Sequence, residues 1–386
     1  MNEGYPRRGI ERLTDLPVSW MVRGAGRILR SLGPAAAYGF ARFVGDSWYR
    51  FVPRRRLIAL RNLEIAFRGE LDEVERVRIA RECCRHAMAN SVDMFIRDRW
   101  ITKETWRDFV SIDAETEALI GRPHPRGLAV LVAHVGAWEM LHYVLALRGL
   151  RAATVVRLVH NPHLDRLMTS LRTRWNVSVI LKAGGLLKMR RMLRSGGAVG
   201  LLCDQVAPAG SPFFRFFGAW TATYAEYARL LARLGSDVAF LACVREGFSF
   251  RFRVRARDLG AAIRGPGTAA ERAARLVESY IAAVEEEARA LPEQYLWMHR
   301  RWKRRPPGAA DLYRRLGKPL DRGLLAEEER LSPARHVRVP EVVRRRALLQ
   351  GDGQVTPSTL ASLADLPRKR TAGPSPAPPN AQSAPG

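Results

Sequence analysis

The chain has 386 residues, 47% of them hydrophobic, enough for one large domain or two ordinary ones with a substantial core. Lys and Arg number 64 against 38 Asp and Glu, and the formal charge of +26 points to an anionic partner: nucleic acid, an anionic membrane or an acidic protein. The four cysteines, Cys83, Cys84, Cys203 and Cys243, have no metal-ligand spacing and read as buried, reduced thiols, which sets a metal module aside.

Met1 to Asp15 is polar and charged, unlike a secretory signal peptide. Ser31 to Tyr49 (SLGPAAAYGFARFVGDSWY) is apolar and aromatic, but Arg42 and Asp46 interrupt the about 20 apolar residues that a span requires. Arg23, Arg27, Arg30 and Arg50 flank it, and Trp20, Trp48 and Tyr49 lie near its ends. An interfacial helix fits better than a spanning one. Residues 1–53 therefore form a basic, aromatic, membrane-associated segment.

RRRLIALRNLEIAF predicts a helix with Leu57, Leu60, Leu63 and Phe67 on one side. A second helix runs from about Asp72 to Arg99, with an apolar stripe of Val74, Val77, Cys84, Met88 and Phe95. From Gly127 short apolar strands alternate with helices: GLAVLVA, ATVVR, NVSVIL, AVGLLC and DVAFLAC read as strands, and a helix is placed over about Ala222 to Leu234. In FSFRFRVRA, Phe248, Phe250, Phe252 and Val254 alternate with Ser249, Arg251, Arg253 and Arg255, an edge strand with one cationic face. A helix over about Thr268 to Ala290 packs through Val277, Ile281, Val284 and Ala288. The pattern is α/β: a mixed, largely parallel central sheet flanked by helices, over residues 54–308. Residues 309–386, with arginine-rich 335–346 and a Pro/Ala/Ser tail from Pro367, read as a disordered basic extension.

AHVGAWEM places His134 where the strand 127–133 ends and a helix begins, the end of an α/β sheet where ligands bind. Five residues turn a regular helix through about 500°, so His134 and Glu139 share no helical face. They meet only if His134 lies in the turn before the helix and Glu139 in its first turns. A carboxylate on one imidazole nitrogen raises basicity at the other, which suits deprotonation of a hydroxyl. The plainer alternative is that Glu139 complements the helix dipole and His134 ends the strand. Histidines 142, 160, 163 and 299 form no plausible ligand set, and no metal is expected.

HVGAWE resembles the His-x4-Asp/Glu signature of the lysophospholipid acyltransferase superfamily. RRRLIALRNLEIAF, RLVHNPHLDRLMTSLRTR, CDQVAPAGSPFFRFFG and PEQYLWMHRRWKRRP, in that order, resemble the branch of bacterial lipid A late acyltransferases over about residues 50–308. The resemblance implies an O-acyltransferase that moves a fatty acyl group from acyl-ACP or acyl-CoA, as co-substrate and with no cofactor, to a hydroxyl of a lipid A precursor or related glycolipid. It makes His134 the general base oriented by Glu139. It implies Arg174, Arg172 and Asp204 as oxyanion or substrate-binding groups, and Trp138, Phe216, Phe217 and Gly218 as pocket-shaping residues. Where the family often has Pro-Asp-x-Asp, this chain has Cys203-Asp204-Gln205-Val206, which leaves the acceptor open; a lysophospholipid or another glycolipid is the alternative.

WMHRRWKRR interleaves Trp297 and Trp302 with Arg300 and Arg301. Bases stack on such aromatics, but tryptophan with arginine against lipid phosphates explains the block equally well, and its place in the shared motif favours membrane contact. The implied location is the cytoplasmic face of the inner membrane, with a lipid acceptor and an acyl carrier or CoA thioester as partners. A nucleic-acid-binding protein is the distant alternative, without any recognition signature.

Overall fold

The computed structural model describes residues 9–324 apart from Arg322, with side chains from Thr14 onward. The proposed extension at 335–346 and the tail from Pro367 lie outside the described residues. Four helices come first: α1 (Gly9–Ser31), α2 (Pro34–Phe51), α3 (Pro53–Phe67) and α4 (Glu73–Trp100). The short α5 (Trp106–Phe109) leads into β1 (Val110–Ile112), then α6 (Ala114–Gly121), β2 (Leu128–Val132), α7 (Trp138–Leu147), β3 (Ala152–Val156), α8 (Pro162–Arg172), β4 (Ser178–Leu181), α9 (Gly185–Arg194) and β5 (Ala198–Leu202). A hairpin of β6 (Phe213–Phe216) and β7 (Ala219–Ala222) precedes α10 (Glu226–Leu234), β8 (Asp237–Arg245), β9 (Phe252–Asp258), α11 (Gly260–Arg264) and α12 (Ala269–Ala290).

Seven strands form one sheet in the order β1-β9-β8-β2-β5-β3-β4; every neighbouring pair is parallel except β8–β9. The mixed, largely parallel sheet flanked by helices is the expected one. Every residue of β2 is buried, because Ala129 and Leu131 enter one core and Leu128, Val130 and Val132 the other. In β9, Phe252 and Val254 are buried and Arg253 is exposed, as the alternation predicts, although the short β1 covers its outer side. On α12, Val277, Ile281, Val284 and Ala288 are buried, and Thr268 with Glu271 forms a capping box.

The helical layer departs from expectation in three places. The apolar stretch Ser31 to Tyr49 is broken near its start, because α1 ends at Ser31, Gly33 is extended and Pro34 starts α2. Among the described residues no helix is long and apolar enough to cross a membrane. Arg42 of this stretch is exposed, and Asp46 is paired with Arg81 and Arg85 of α4. The α4 stripe is also different. Of the expected stripe Cys84 is buried and Met88 and Phe95 pack against the core, but Val74 and Val77 are exposed, and the buried face also carries Ile79, Cys83, Asn90, Asp93, Ile96 and Arg97. Polar side chains sit inside because Arg245 of β8 reaches Asn90 and Asp93 there, with Tyr38 of α2 donating to Asp93. Finally, Leu312 and Tyr313 are buried, and Arg61 of α3 donates to the Lys318 carbonyl at 2.6 Å. Buried chain thus continues past Gly308, where the sequence signal fades.

Candidate active site

Val132 of β2 lies beside Leu202 of β5 in parallel register, and the chain leaves both strands at the same sheet end. Two residues further on each come His134 and Asp204. Asp204 Oδ1 lies 2.7 Å from His134 Nδ1, and Oδ2 accepts the His134 backbone N–H at 2.9 Å. Asp204 is buried, and burial alone would raise its carboxyl; the His134 ring and backbone contacts, with Arg301 nearby, hold it below the ordinary carboxylate value. An ionised Asp204 keeps a proton on Nδ1 and leaves a lone pair on Nε2 that can accept a proton. The Gln205 side-chain nitrogen lies 3.2 Å from that Nε2. The Trp138 ring packs on the imidazole at 5.1 Å between centroids but does not line the pocket at His134.

The carboxylate on the imidazole is therefore not that of Glu139. Arg172 Nε donates to Glu139 Oε2 at 3.1 Å and Arg172 Nη2 donates to Oε1; Arg97 donates to the Glu139 carbonyl. Burial would raise the Glu139 carboxyl, but the Arg172 hydrogen bonds and charge outweigh it and hold it at about 2. The geometry explains the difference. α7 begins at Trp138, and one step of about 100° from the residue over the imidazole carries Glu139 toward α8. Arg172 is thus tied to Glu139, and Arg174, expected in the site, pairs with Asp98 instead.

The turn bearing His134 is clamped from two sides. Gly136 N–H donates to the Gln294 carbonyl at 3.0 Å, Leu296 N–H to the His134 carbonyl at 2.9 Å, and Ala137 N–H to the Cys243 carbonyl at 2.6 Å. Asn90 Nδ2 donates to the Gly136 carbonyl at 2.8 Å. The Pro-Glu-Gln-Tyr block is a brace for the histidine turn.

A narrow pocket opens at His134, lined also by Asn62, Asp204, Gln205, Trp297, His299, Arg301 and Trp302. Trp297, Arg301 and Trp302, assigned from sequence to the membrane, are buried and face this pocket, while Arg300 stacks over Tyr313. Arg301 donates to Thr221 Oγ1, Thr223 Oγ1 and the Ala222 carbonyl, with no carboxylate partner among the described residues. Burial pushes the His299 imidazole down to about 4, so it is neutral and accepts the Val206 N–H at 3.3 Å. Phe216, Phe217 and Gly218 do not line the pocket. Phe217 and Gly218 both have positive φ and close the β6–β7 hairpin, and the two phenylalanines pack against Trp302 and Trp297 behind it. Asn62 and Gln205 were not singled out from sequence; Asn62 belongs to a motif that was, and Gln205 follows Asp204.

A family model described as bacterial lipid A biosynthesis acyltransferase matches residues 11–304. The chain belongs to that family. It is similar to the lipid A biosynthesis palmitoleoyltransferase of Escherichia coli (strain K12), 28% identical over 271 residues, 68% of this chain and 83% of that one. The lauroyltransferase of the same organism is 25% identical over 304 residues, 77% and 94% of the two chains, and its myristoyltransferase 27% over 272 residues, 68% and 79%. The chain is an acyltransferase.

Proposed function

We propose that this acyltransferase moves a fatty acyl group from an acyl thioester, acyl-ACP or acyl-CoA, to a hydroxyl of a lipid A precursor or related glycolipid at the cytoplasmic face of the inner membrane. The observation that carries the chemistry is the His134–Asp204 pair at the mouth of a narrow pocket. Nε2 of His134 takes the hydroxyl proton as the alkoxide oxygen attacks the thioester carbonyl. The C–S bond then breaks, and the thiolate leaves with the proton returned from His134. The buried guanidinium of Arg301 adds positive potential beside Asp204, where burial amplifies charge. Among the pocket-lining residues there is no serine or cysteine, which favours direct transfer over an acyl-enzyme. The acceptor follows from the relatives' names, and the Asp204-Gln205-Val206 departure keeps other glycolipids or a lysophospholipid as the second reading.

A general base contributes typically ~10²–10⁴-fold in rate, so His134→Ala loses at least about a hundredfold of acyl transfer while the protein stays folded. The measurement is transfer from labelled acyl-ACP and acyl-CoA into lipid, with the product identified by mass. Activity within a few-fold of wild type would remove His134 from the mechanism.

A further inference from the structure

Away from the histidine pocket, α1 and α8 enclose an open groove of about 620 Å³. Leu16, Trp20, Arg23 and Arg27 line it from α1, spaced so that they share one helical face, and His163 and Arg166 line it from α8. No acidic side chain lines the groove, and among the described residues no carboxylate is paired with Arg23, Arg27 or Arg166. Arg166 donates to His163 Nδ1 at 3.1 Å, so even the imidazole is turned to support a guanidinium. The helix terminus supplies little, because Asn161 Oδ1 already accepts the His163 and Leu164 N–H groups. Three guanidinium forks and no counter-charge form a site for phosphate oxygens.

The rim decides where that phosphate comes from. Trp20 is 68% exposed, Met21 67% and Ile28 64%, all on α1 beside the arginines. A free phosphate or an acidic protein face would leave these side chains against water or charge. A bilayer supplies a phosphate and an apolar layer in the same place. We infer that the α1–α8 groove is a binding site for the headgroup phosphate of an anionic phospholipid, with Trp20, Met21 and Ile28 entering the interface beside it. The site rests on the reading that the enzyme works at a membrane surface, not on its chemistry. Its place also serves that chemistry: α8 carries the groove at one end and Arg172, paired with Glu139, nine residues and about 14 Å along. A lipid held in the groove fixes how the active-site end faces the bilayer.

The test compares vesicle co-sedimentation of the full chain, a groove triple variant (Arg23→Gln, Arg27→Gln, Arg166→Gln) and a charge-matched triple variant of exposed arginines elsewhere (Arg126→Gln, Arg190→Gln, Arg314→Gln). Vesicles are phosphatidylcholine alone or mixed with phosphatidylglycerol. At about fivefold per nearby cation, the groove variant binds the anionic vesicles roughly a hundredfold more weakly, with its thermal unfolding unchanged, and the control variant loses only a few-fold. Equal losses in the two variants, or competition of wild-type binding by millimolar inorganic phosphate without vesicle preference, would overturn the headgroup site. So would a groove variant that binds vesicles normally but loses affinity for an acidic acyl carrier protein. Failure of the wild-type protein to prefer anionic vesicles would instead overturn the membrane reading on which the site rests.

Discussion

The partners that Glu139 and Asp204 hold in the fold assign them differently from expectation, which has Glu139 orient His134 and Asp204 bind substrate or oxyanion. Asp204 holds the imidazole and the backbone N–H of His134, whereas both Glu139 oxygens are taken by Arg172, whose side chain is only 14% exposed. Asp204→Asn is therefore expected to lower turnover by about 10²–10⁴-fold with the fold retained, because the proton on Nδ1 is no longer fixed by a charge. Glu139→Gln is expected to leave turnover per folded molecule within about tenfold but to cost about 3 kcal/mol, since it strands a nearly buried cation. The sign with pH follows from the depressed Glu139 carboxyl. Burial opposes ionisation, Arg172 overrides it, and the folded value is about 2 against an ordinary ~4.3. The stabilisation is complete above about pH 5 and fades as the pH falls toward 2, so urea unfolding should show the two proteins converging in acid. The reverse split, with Glu139→Gln the inactive variant and Asp204→Asn merely unstable, would return the orienting role to Glu139. The sequence named both acids, Glu139 as the partner of His134 and Asp204 as a substrate or oxyanion group. What one chain does not contain is strand order: that β5 lies beside β2, in a register that brings Asp204 under the ring, is a long-range fact that local periodicity cannot carry.

The element that presents the base is the β2–α7 turn, and its precision comes from backbone contacts more than from side chains. Gly136 has φ +61, and a Cβ there would sit 2.2 Å from the Cys243 carbonyl oxygen of β8. Gly149 supplies the comparison, with φ +85 and nothing within 4 Å of an added Cβ. Gly149→Ala should cost only the left-handed backbone, about 1 kcal/mol. Gly136→Ala must also push β8 and the histidine turn apart, and is expected to cost about 2 kcal/mol more and at least tenfold in turnover, read from melting curves and initial rates. Equal behaviour of the two would mean the turn is free to shift. The glycine was visible in sequence, and so was the strand–turn–helix around it. The misread elements share a cause. The outer stripe of α4 has the apolar spacing, but its inner face holds Asn90, Asp93 and Arg97 satisfied by partners from other elements. The WMHRRWKRR block looks interfacial by composition, yet hydrogen bonds to Asn62, Thr221 and Thr223 draw it inward. Composition reports what a side chain prefers without neighbours; buried polar networks reverse that preference.

At the scale of the molecule, the proposed membrane surface would meet a formal +26 and an exposed apolar edge through forces of different range. Buried tryptophans in the closing block leave α1 and α2 for apolar contact: on α2, Ala37, Ala41 and Gly45 are buried, while Phe43 and Phe51 are 69% and 72% exposed. Gly45 lies against α4, where a Cβ would meet the Arg85 backbone at 2.5 Å. Coulomb attraction to anionic lipid is screened over about 10 Å at 0.1 M salt and about 3 Å at 1 M, whereas burial of phenylalanine in the acyl boundary is not screened. Raising salt from about 0.1 to 1 M should therefore remove most, but not all, binding to anionic vesicles. The remainder should resemble the affinity for zwitterionic vesicles, and Phe43→Ser with Phe51→Ser should abolish it while leaving the low-salt attraction to anionic lipid largely in place. Binding that disappears entirely in salt would mean the phenylalanines stay out of the bilayer; binding indifferent to salt would mean the arginines face elsewhere. An additive response, salt removing one part and serines the other, is what a helix lying in the interface produces, because its charges and its rings meet the membrane at different depths.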